Sequence, residues 1–279
     1  MLDKEIQKEL IRKGRAFTRG YTEQDQYLDL FESDQEQKMP QPPLVKAAVT
    51  PLESHIPLIR SFDKLKMKNN LVDLIRDRRS ARIYTGESMS MDQLSFLLWA
   101  TQGIKSIRGK AYATLRTVPC GGARHEFETY LLVRNIEGLE PGAYHYLPME
   151  HALEYLHPVE NIETEISETL CDQTWASKAN VVFYWSMVAY RAEWRYGIYA
   201  HRVAMMDLGH VGQALYTACA GLGLGCCGIG AFLHERTAKL FDLDGEEEYI
   251  VYTTPIGTIR EIDKVSEQAF YQFVIDEGL

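Results

Sequence analysis

The sequence predicts an α+β fold, or α/β, organised around one mixed sheet. Three observations carry that prediction. SMDQLSFLLWATQG (90–103) repeats apolar residues at helical spacing. NVVFYWSMV (180–188) is a nearly continuous apolar, β-branched and aromatic run, as a buried central strand requires. Helix-like and strand-like segments alternate irregularly, and no fixed-period repeat appears.

The elements follow in chain order. LDKEIQKELIRKG is helix-like and charged, and DQEQKMPQPPLVK after it is polar, with prolines at 40, 42 and 43. Such prolines favour extended geometry without a packed element. Residues 1–60 are therefore expected to form an arm with a Pro-rich linker, draped over the body or over a partner subunit. One larger domain is expected over 61–279. LVDLIRD opens it as a short helix that delivers an arginine cluster to its end.

Ser90 and Gln93 spell a capping box for the next helix, Leu94, Leu97, Leu98 and Thr101 form its inner stripe, and Gly103 suits its C′ position. FETYLLVRN reads as an alternating strand, and GAYHYL with HALEYL as a hairpin split by Pro148. The long helix in HRVAMMDLGHVGQALYTACAGLGLG places Ala204, Leu208, Val211, Leu215 and Ala218 on one face. It also carries Gly209 and Gly212, each costing about 1 kcal/mol against alanine, so close approach of another helix is expected there. HERTAKLFDL then reads as a helix and EYIVYTTPIG as a strand.

Composition excludes several function classes. The formal net charge of −9 disfavours nucleic acid, whose phosphates call for a basic face. No run is long and apolar enough for a membrane span, and the N-terminus lacks a signal-peptide core. Five scattered cysteines do not read as a disulfide framework and fit a reducing cytoplasm.

Against that acidic background, RDRRSARIYTG (76–86) holds Arg76, Arg78, Arg79 and Arg82 within seven positions. A solvated patch is the ordinary reading of a charge run; a permanently held anion is the sharper one. Gly223, Gly225 and Gly228 literally spell G-x-G-x-x-G. A dinucleotide fingerprint must follow a strand and open a helix, whereas here a helix runs into the glycines, so a Rossmann site is excluded. A helix C-cap and packed turn explain some of these glycines. A loop whose backbone N–H groups approach a planar ligand explains the cluster. PCGGARHEFETY (119–130) is a second small-residue turn feeding a strand, and His125 and His210 read as structural histidines. Adjacent Cys226 and Cys227 suit no chelate, and neither H-E-x-x-H nor C-x-x-C occurs, so no metal site is expected.

Taken in order, RRSARIYT, WATQGI, VPCGGARHEFETYLLV, GLEPGAYHYLP, RYGIYAHRVAMMDLGHVGQAL, GLGLGCCGIGAF and YTTPIG resemble the FMN-dependent nitroreductase superfamily. The likeness covers about residues 70–260 and is strongest to the SagB/ThcOx-type oxidoreductase branch. The resemblance implies a nitroreductase-like sandwich, a mixed and mainly antiparallel sheet flanked by helices, in an intertwined homodimer with FMN at the interface. It implies that Arg78, Arg79, Ser80 and Arg82 grip the FMN phosphate, whose geometry suits guanidinium forks, with Arg260 as a second contact. Pro119, Cys120, Gly121 and Gly122 match the family's P-S-x-G turn by the flavin ring, with cysteine in place of serine. Gly228, Ile229, Gly230 and Ala231 match the loop whose backbone donors face the flavin. Arg195 and Tyr196 stand where the azoline dehydrogenase branch has a catalytic Lys-Tyr pair, and arginine cannot serve as a base.

The resemblance thus implies a cytoplasmic flavoprotein that moves hydride through flavin N5. The expected direction is from NAD(P)H to a small unsaturated or nitro compound. Two alternatives are an azoline (thiazoline/oxazoline) dehydrogenase acting on a modified peptide and a non-catalytic flavin-binding docking subunit.

Overall fold

The protein is described here by a computed structural model covering residues 3–20 and 31–260, together with 263, 265, 272 and 276. Its main sheet has seven strands: β1 (Ile56–Pro57), β4 (Phe127–Val133), β5 (Gly142–Leu147), β6 (Ala152–His157), β7 (Val181–Val188), β8 (Leu224–Cys226) and β9 (Glu248–Thr258). The spatial order is β1-β6-β5-β4-β7-β9-β8, and every one of these pairs is antiparallel. Parallel pairing is confined to isolated bridges, Ser80 with Cys226 and Met89 with Ile136. A separate ribbon joins β2 (Ile104–Arg108) to β3 (Ala113–Arg116).

Helices cover both faces of the sheet. On one face lie α3 (Met91–Gln102), α5 (Ala189–Tyr196) and α6 (Ala200–Leu222), with α2 (Leu71–Asp77) packed on α6; α4 (Ile162–Thr169) and α7 (His234–Leu240) lie on the other. This explains why β4 and β7 look so apolar. Odd positions of β4 (Phe127, Leu131, Val133) enter the core under α3 and α6, while Tyr130 and Leu132 enter the second core. The alternation expected for β4 is therefore between two interiors, with every residue of the strand buried.

The Ser90–Gln93 capping box forms, and Leu94, Leu97, Leu98 and Thr101 are buried. Gly103 departs from the expected left-handed cap: its φ is −60°, and a Cβ there would collide with Trp99. The α6 stripe is buried as its spacing requires, and Gly223 closes the helix in the left-handed region at φ 69°. No helix among the described residues is long and apolar enough to cross a membrane.

The N-terminal segment begins with α1 (Lys4–Thr18), which is exposed along its whole length. Residues 33–50 lie on the body. The Gln35 amide donates to the Trp194 carbonyl at 2.8 Å, and Lys46 Nζ reaches Glu248 at 2.6 Å and the Tyr130 hydroxyl at 2.7 Å. The amides of Val49 and Thr50 donate to Glu154 at 2.9 and 3.1 Å. These contacts end on a buried charged chain: Glu128 pairs with Arg191 at 2.5 Å and with His145 at 3.3 Å, and His145 reaches Glu154 at 2.7 Å.

Candidate functional site

The arginine segment leaves α2 and runs extended beside β8. Asn70 starts the helix by accepting the Val72 and Asp73 amides, and the Ala81 amide donates to the Cys226 carbonyl at 2.9 Å. The Ser80–Cys226 bridge completes the attachment, so the arginines project from backbone pinned to a sheet edge. Tyr216, on α6, is the hub. Its hydroxyl lies 3.0 Å from Ser80 Oγ and accepts the Gly228 amide at 2.7 Å, and the Arg78 guanidinium stands 5.5 Å from its ring. Burial raises the Tyr216 phenol above its usual range, which keeps it a neutral donor and acceptor.

Arg79 and Arg260 line one cavity of about 210 Å³ with Lys68, Tyr216, Gly223 and Gly225. Arg82 lies 5.9 Å from the Trp175 ring, and its charge opposes the upward push that burial gives the Cys227 thiol. Arg260 is also bonded to Asp263 at 3.1 Å, and Lys68 to Asp77 at 2.6 Å. Arg76 pairs with Asp73 on the surface and stands apart from the group.

In the late glycine loop, the Gly228 amide goes to Tyr216 and the Ile229 amide to the Thr253 carbonyl at 2.8 Å. Two of the four expected ligand donors are thus engaged within the chain. Gly230 and Ala231 are exposed, and a Cβ on Gly230 would meet nothing within 4 Å. Gly228 is glycine for another reason, since a Cβ there would run into the Tyr252 hydroxyl.

The second group of predicted residues gathers around the turn Pro119–Gly122. The Gly121 amide donates to Asp207 Oδ2 at 2.8 Å; Cys120 Sγ accepts the His125 amide at 3.0 Å and lies 3.2 Å from Glu126 Oε2. Positive φ at Gly122, Ala123 and His125 (55°, 53° and 48°) marks a strained backbone, of the kind that collects at functional sites. The Tyr196 hydroxyl overhangs the turn, 3.0 Å and 3.2 Å from where Cβ atoms on Gly122 and Gly121 would stand. Arg195 packs on Gly122, donates to Gln35 at 2.7 Å and to Tyr112 at 3.3 Å, and keeps a buried Nε without a partner among the described residues. Burial, reinforced by Arg116 and Arg124, drives the His125 imidazole down to about 3, so it stays neutral near pH 7. That suits a structural histidine better than a general base.

The predicted residues therefore form two groups, anchored at two positions along one helix. Asp207 faces the turn and Tyr216 faces the arginines, nine residues or about 13 Å apart along α6. Between them Met205, Leu208, Gly209, Gly212, Gln213 and Tyr252 wall a cavity of about 340 Å³ that also reaches Tyr216. The Tyr252 ring, not another helix of this chain, is what packs against Gly212, and Gly209 opens outward. Sequence reasoning missed Tyr216, Tyr252, Lys68, Glu126 and Asp207. The one usable signal was the cluster of tyrosines flanking the glycine loop.

Known proteins place this architecture. The Nitroreductase family model matches residues 75–258. MJ1384 of Methanocaldococcus jannaschii, provisionally named a nitroreductase, is 30% identical over 187 residues, 67% of this chain and 90% of that protein. The crystal structure of a Ralstonia eutropha protein, also provisionally named a nitroreductase, superposes with TM-score 0.61 at 22% identity, covering 80% of this chain and all of the other. A chain of the E. coli microcin synthetase McbBCD complex with truncated pro-MccB17 shares the fold at TM-score 0.55 and 17% identity, over 93% of this chain and 95% of that one. With its two-faced antiparallel sheet and matched span, this chain belongs to the nitroreductase family of oxidoreductases.

Proposed function

We propose that the protein is an FMN-dependent reductase that takes hydride from NADH or NADPH and delivers it to a small unsaturated or nitro acceptor. The observation that carries this reading is the attachment of Arg78–Arg82 to β8 and Tyr216, beside an arginine-lined cavity, in a chain of net charge −9. Anchored guanidinium groups suit a phosphate monoester. The open space at Gly230 and the cavity along α6 leave room for a planar ring system. Arg78, Arg79, Ser80 and Arg82 would hold the phosphate, with Arg260 as a second contact for which Asp263 competes. The Cys120–Gly122 turn and Tyr196 would border the reacting face. When bound, FMN supplies two-electron chemistry at N5, and the protein supplies position and electrostatics.

The outward face of α6, with exposed Met205, Met206 and Gly209, is the surface on which a second copy would close the site. The test is direct. The purified protein should be a yellow homodimer that releases FMN on denaturation and bleaches anaerobically with NADH or NADPH. A colourless monomer, or a yellow protein that no nicotinamide donor bleaches, overturns the reading; the latter result would favour a docking subunit.

One observation favours a second reading. The likeness to a chain of the McbBCD complex with truncated pro-MccB17 extends over 93% of this chain, which favours a peptide substrate and with it the azoline dehydrogenase alternative. Arg195 before Tyr196 weighs against it, because a guanidinium stays protonated and cannot abstract a proton. Efficient oxidation of a thiazoline peptide by the wild-type protein would promote this reading over the first.

A further inference from the structure

Glu126 sits just before β4 with 1% of its surface exposed. Its Oε2 lies 3.2 Å from Cys120 Sγ, and its Oε1 has no hydrogen-bond partner among the described residues. A buried carboxylate with an orphan oxygen is costly, whereas a neutral carboxylic acid is far less so. Asp207 makes the point sharper. Cys120, Glu126 and Asp207 each offer an atom within 4.8 Å of the others, and Asp207 Oδ2 is fixed as the acceptor of the Gly121 amide. Two carboxyl groups this close do not both ionise readily. Asp207 Oδ2 has the amide, whereas Glu126 Oε1 has no donor to favour its charge.

We propose that Glu126 is the proton store for the site beside the Cys120–Gly122 turn, with Cys120 as its outlet. The inference rests on the reductase reading above. Glu126 is enclosed, whereas Cys120 is half-buried and forms the turn that Tyr196 overhangs. At rest the thiol donates to Glu126 Oε2 at 3.2 Å; the relay runs when the S–H turns outward and the Glu126 O–H turns onto the sulfur. Hydride delivery brings two electrons and one proton to the acceptor; a neutral product needs one further proton. In this step the Glu126 O–H bond breaks as its proton passes to sulfur, and the Cys120 S–H proton leaves for the reduced acceptor. The thiol is unchanged, and the Glu126 carboxylate is reprotonated from solvent. Glu126 thus acts through Cys120 and touches no substrate.

The surrounding charges agree. Burial raises Glu126 to about 7; its own amide opposes that rise and Asp207 adds to it. The groups facing it are Cys120 on the turn, Asp207 on α6 and Arg116 on β3, with His210 3.7 Å beyond Asp207 and Tyr196 above. The Cys120 thiol, as a donor, and Arg116 both pull toward the carboxylate, and burial outweighs them.

The experiment compares wild type, Glu126→Gln, Cys120→Ser and Cys120→Ala as full-length FMN-loaded proteins, with NADPH and nitrofurazone as probes. Wild-type turnover should fall about tenfold per pH unit above about pH 7. Glu126→Gln should be slower by about 100-fold and lose that breakpoint, Cys120→Ser should keep it, and Cys120→Ala should resemble Glu126→Gln. A second readout needs no turnover. Because the folded acid titrates near 7 and its ordinary value is 4.5, wild type should lose stability relative to Glu126→Gln as pH rises across that interval. A breakpoint that survives in Glu126→Gln, or parallel stability curves, overturns the proposal. So does a stoichiometric metal ion that Glu126→Gln releases. If neither NADH nor NADPH bleaches the flavin, the reductase reading fails, and the stability comparison still decides whether Glu126 stores a proton.

Discussion

The Tyr216 hydroxyl accepts the Gly228 amide at 2.7 Å while facing Ser80 Oγ at 3.0 Å. One phenol thereby fixes the glycine loop and the arginine segment to the same turn of α6. Both halves of the expected phosphate end therefore depend on an atom that belongs to neither motif.

Tyr216→Phe should leave the Gly228 amide without its acceptor and Ser80 without its partner, at a cost of about 1–3 kcal/mol. Chemical denaturation of the cofactor-free protein reads that cost. A larger loss of stability in the FMN-loaded protein is expected, because the loop and the arginines would lose their common anchor.

Arg82→Ala should weaken FMN retention by about 1.5–3 kcal/mol, roughly 10- to 150-fold in affinity, with much less effect on folding. Fluorescence titration of the apoprotein with FMN checks this. Equal affinity in mutant and wild type would remove Arg82 from the phosphate site.

Two glycines of one loop should separate cleanly. Gly230→Val adds atoms where nothing lies within 4 Å, so stability should change by less than about 0.5 kcal/mol while FMN binding is lost. Gly228→Ala meets Tyr252 and should destabilise the fold by about 1–3 kcal/mol even without cofactor. Thermal melts beside FMN content distinguish the two.

The Glu128–His145–Glu154 chain predicts a pH dependence with two limbs. Burial alone would raise Glu154, but His145 and Thr50 overcome it and hold the carboxyl at about 2. Its contribution is present above its ordinary value of 4.5 and is lost as pH falls toward 2. Burial opposes the charged form of His145, yet its two carboxylate partners raise it. That contribution is complete below pH 6.5 and fades as pH rises through the elevated folded value. Glu154→Gln should cost about 3–5 kcal/mol near neutrality, flatten the acid limb and shift the alkaline limb downward. Urea midpoints across pH check all three.

What the sequence revealed was local. The capping box of α3 and the buried stripe of α6 are written in spacings of three and four residues, and both formed as read. The arginine segment could be placed after α2 for the same reason. What stayed hidden depends on long-range meetings. Tyr216 meets Ser80 across 136 positions and Asp207 meets Gly121 across 86, and neither partner carries a spacing that announces the other. The polar positions of β4 misled in a related way. Glu128 and Thr129 suggested a half-exposed strand, but Glu128 is buried because Arg191 and His145 neutralise it.

The docking of residues 33–50 has a consequence for biosynthesis. Lys46 finds Glu248 and Tyr130 at separations of 202 and 84 residues, so its ion pair must wait for β9, the last strand of the described residues. Until β9 is made, the lysine has Tyr130 but lacks its charged partner Glu248. Contacts of such high order form late and slowly. A chain lacking β9 would keep the β6 partner of the Val49 and Thr50 amides but lose the ion pair that holds Lys46. Full attachment of residues 33–50 thus reports that β9 has paired, and their susceptibility to protease should distinguish chains with β9 in place from chains without it.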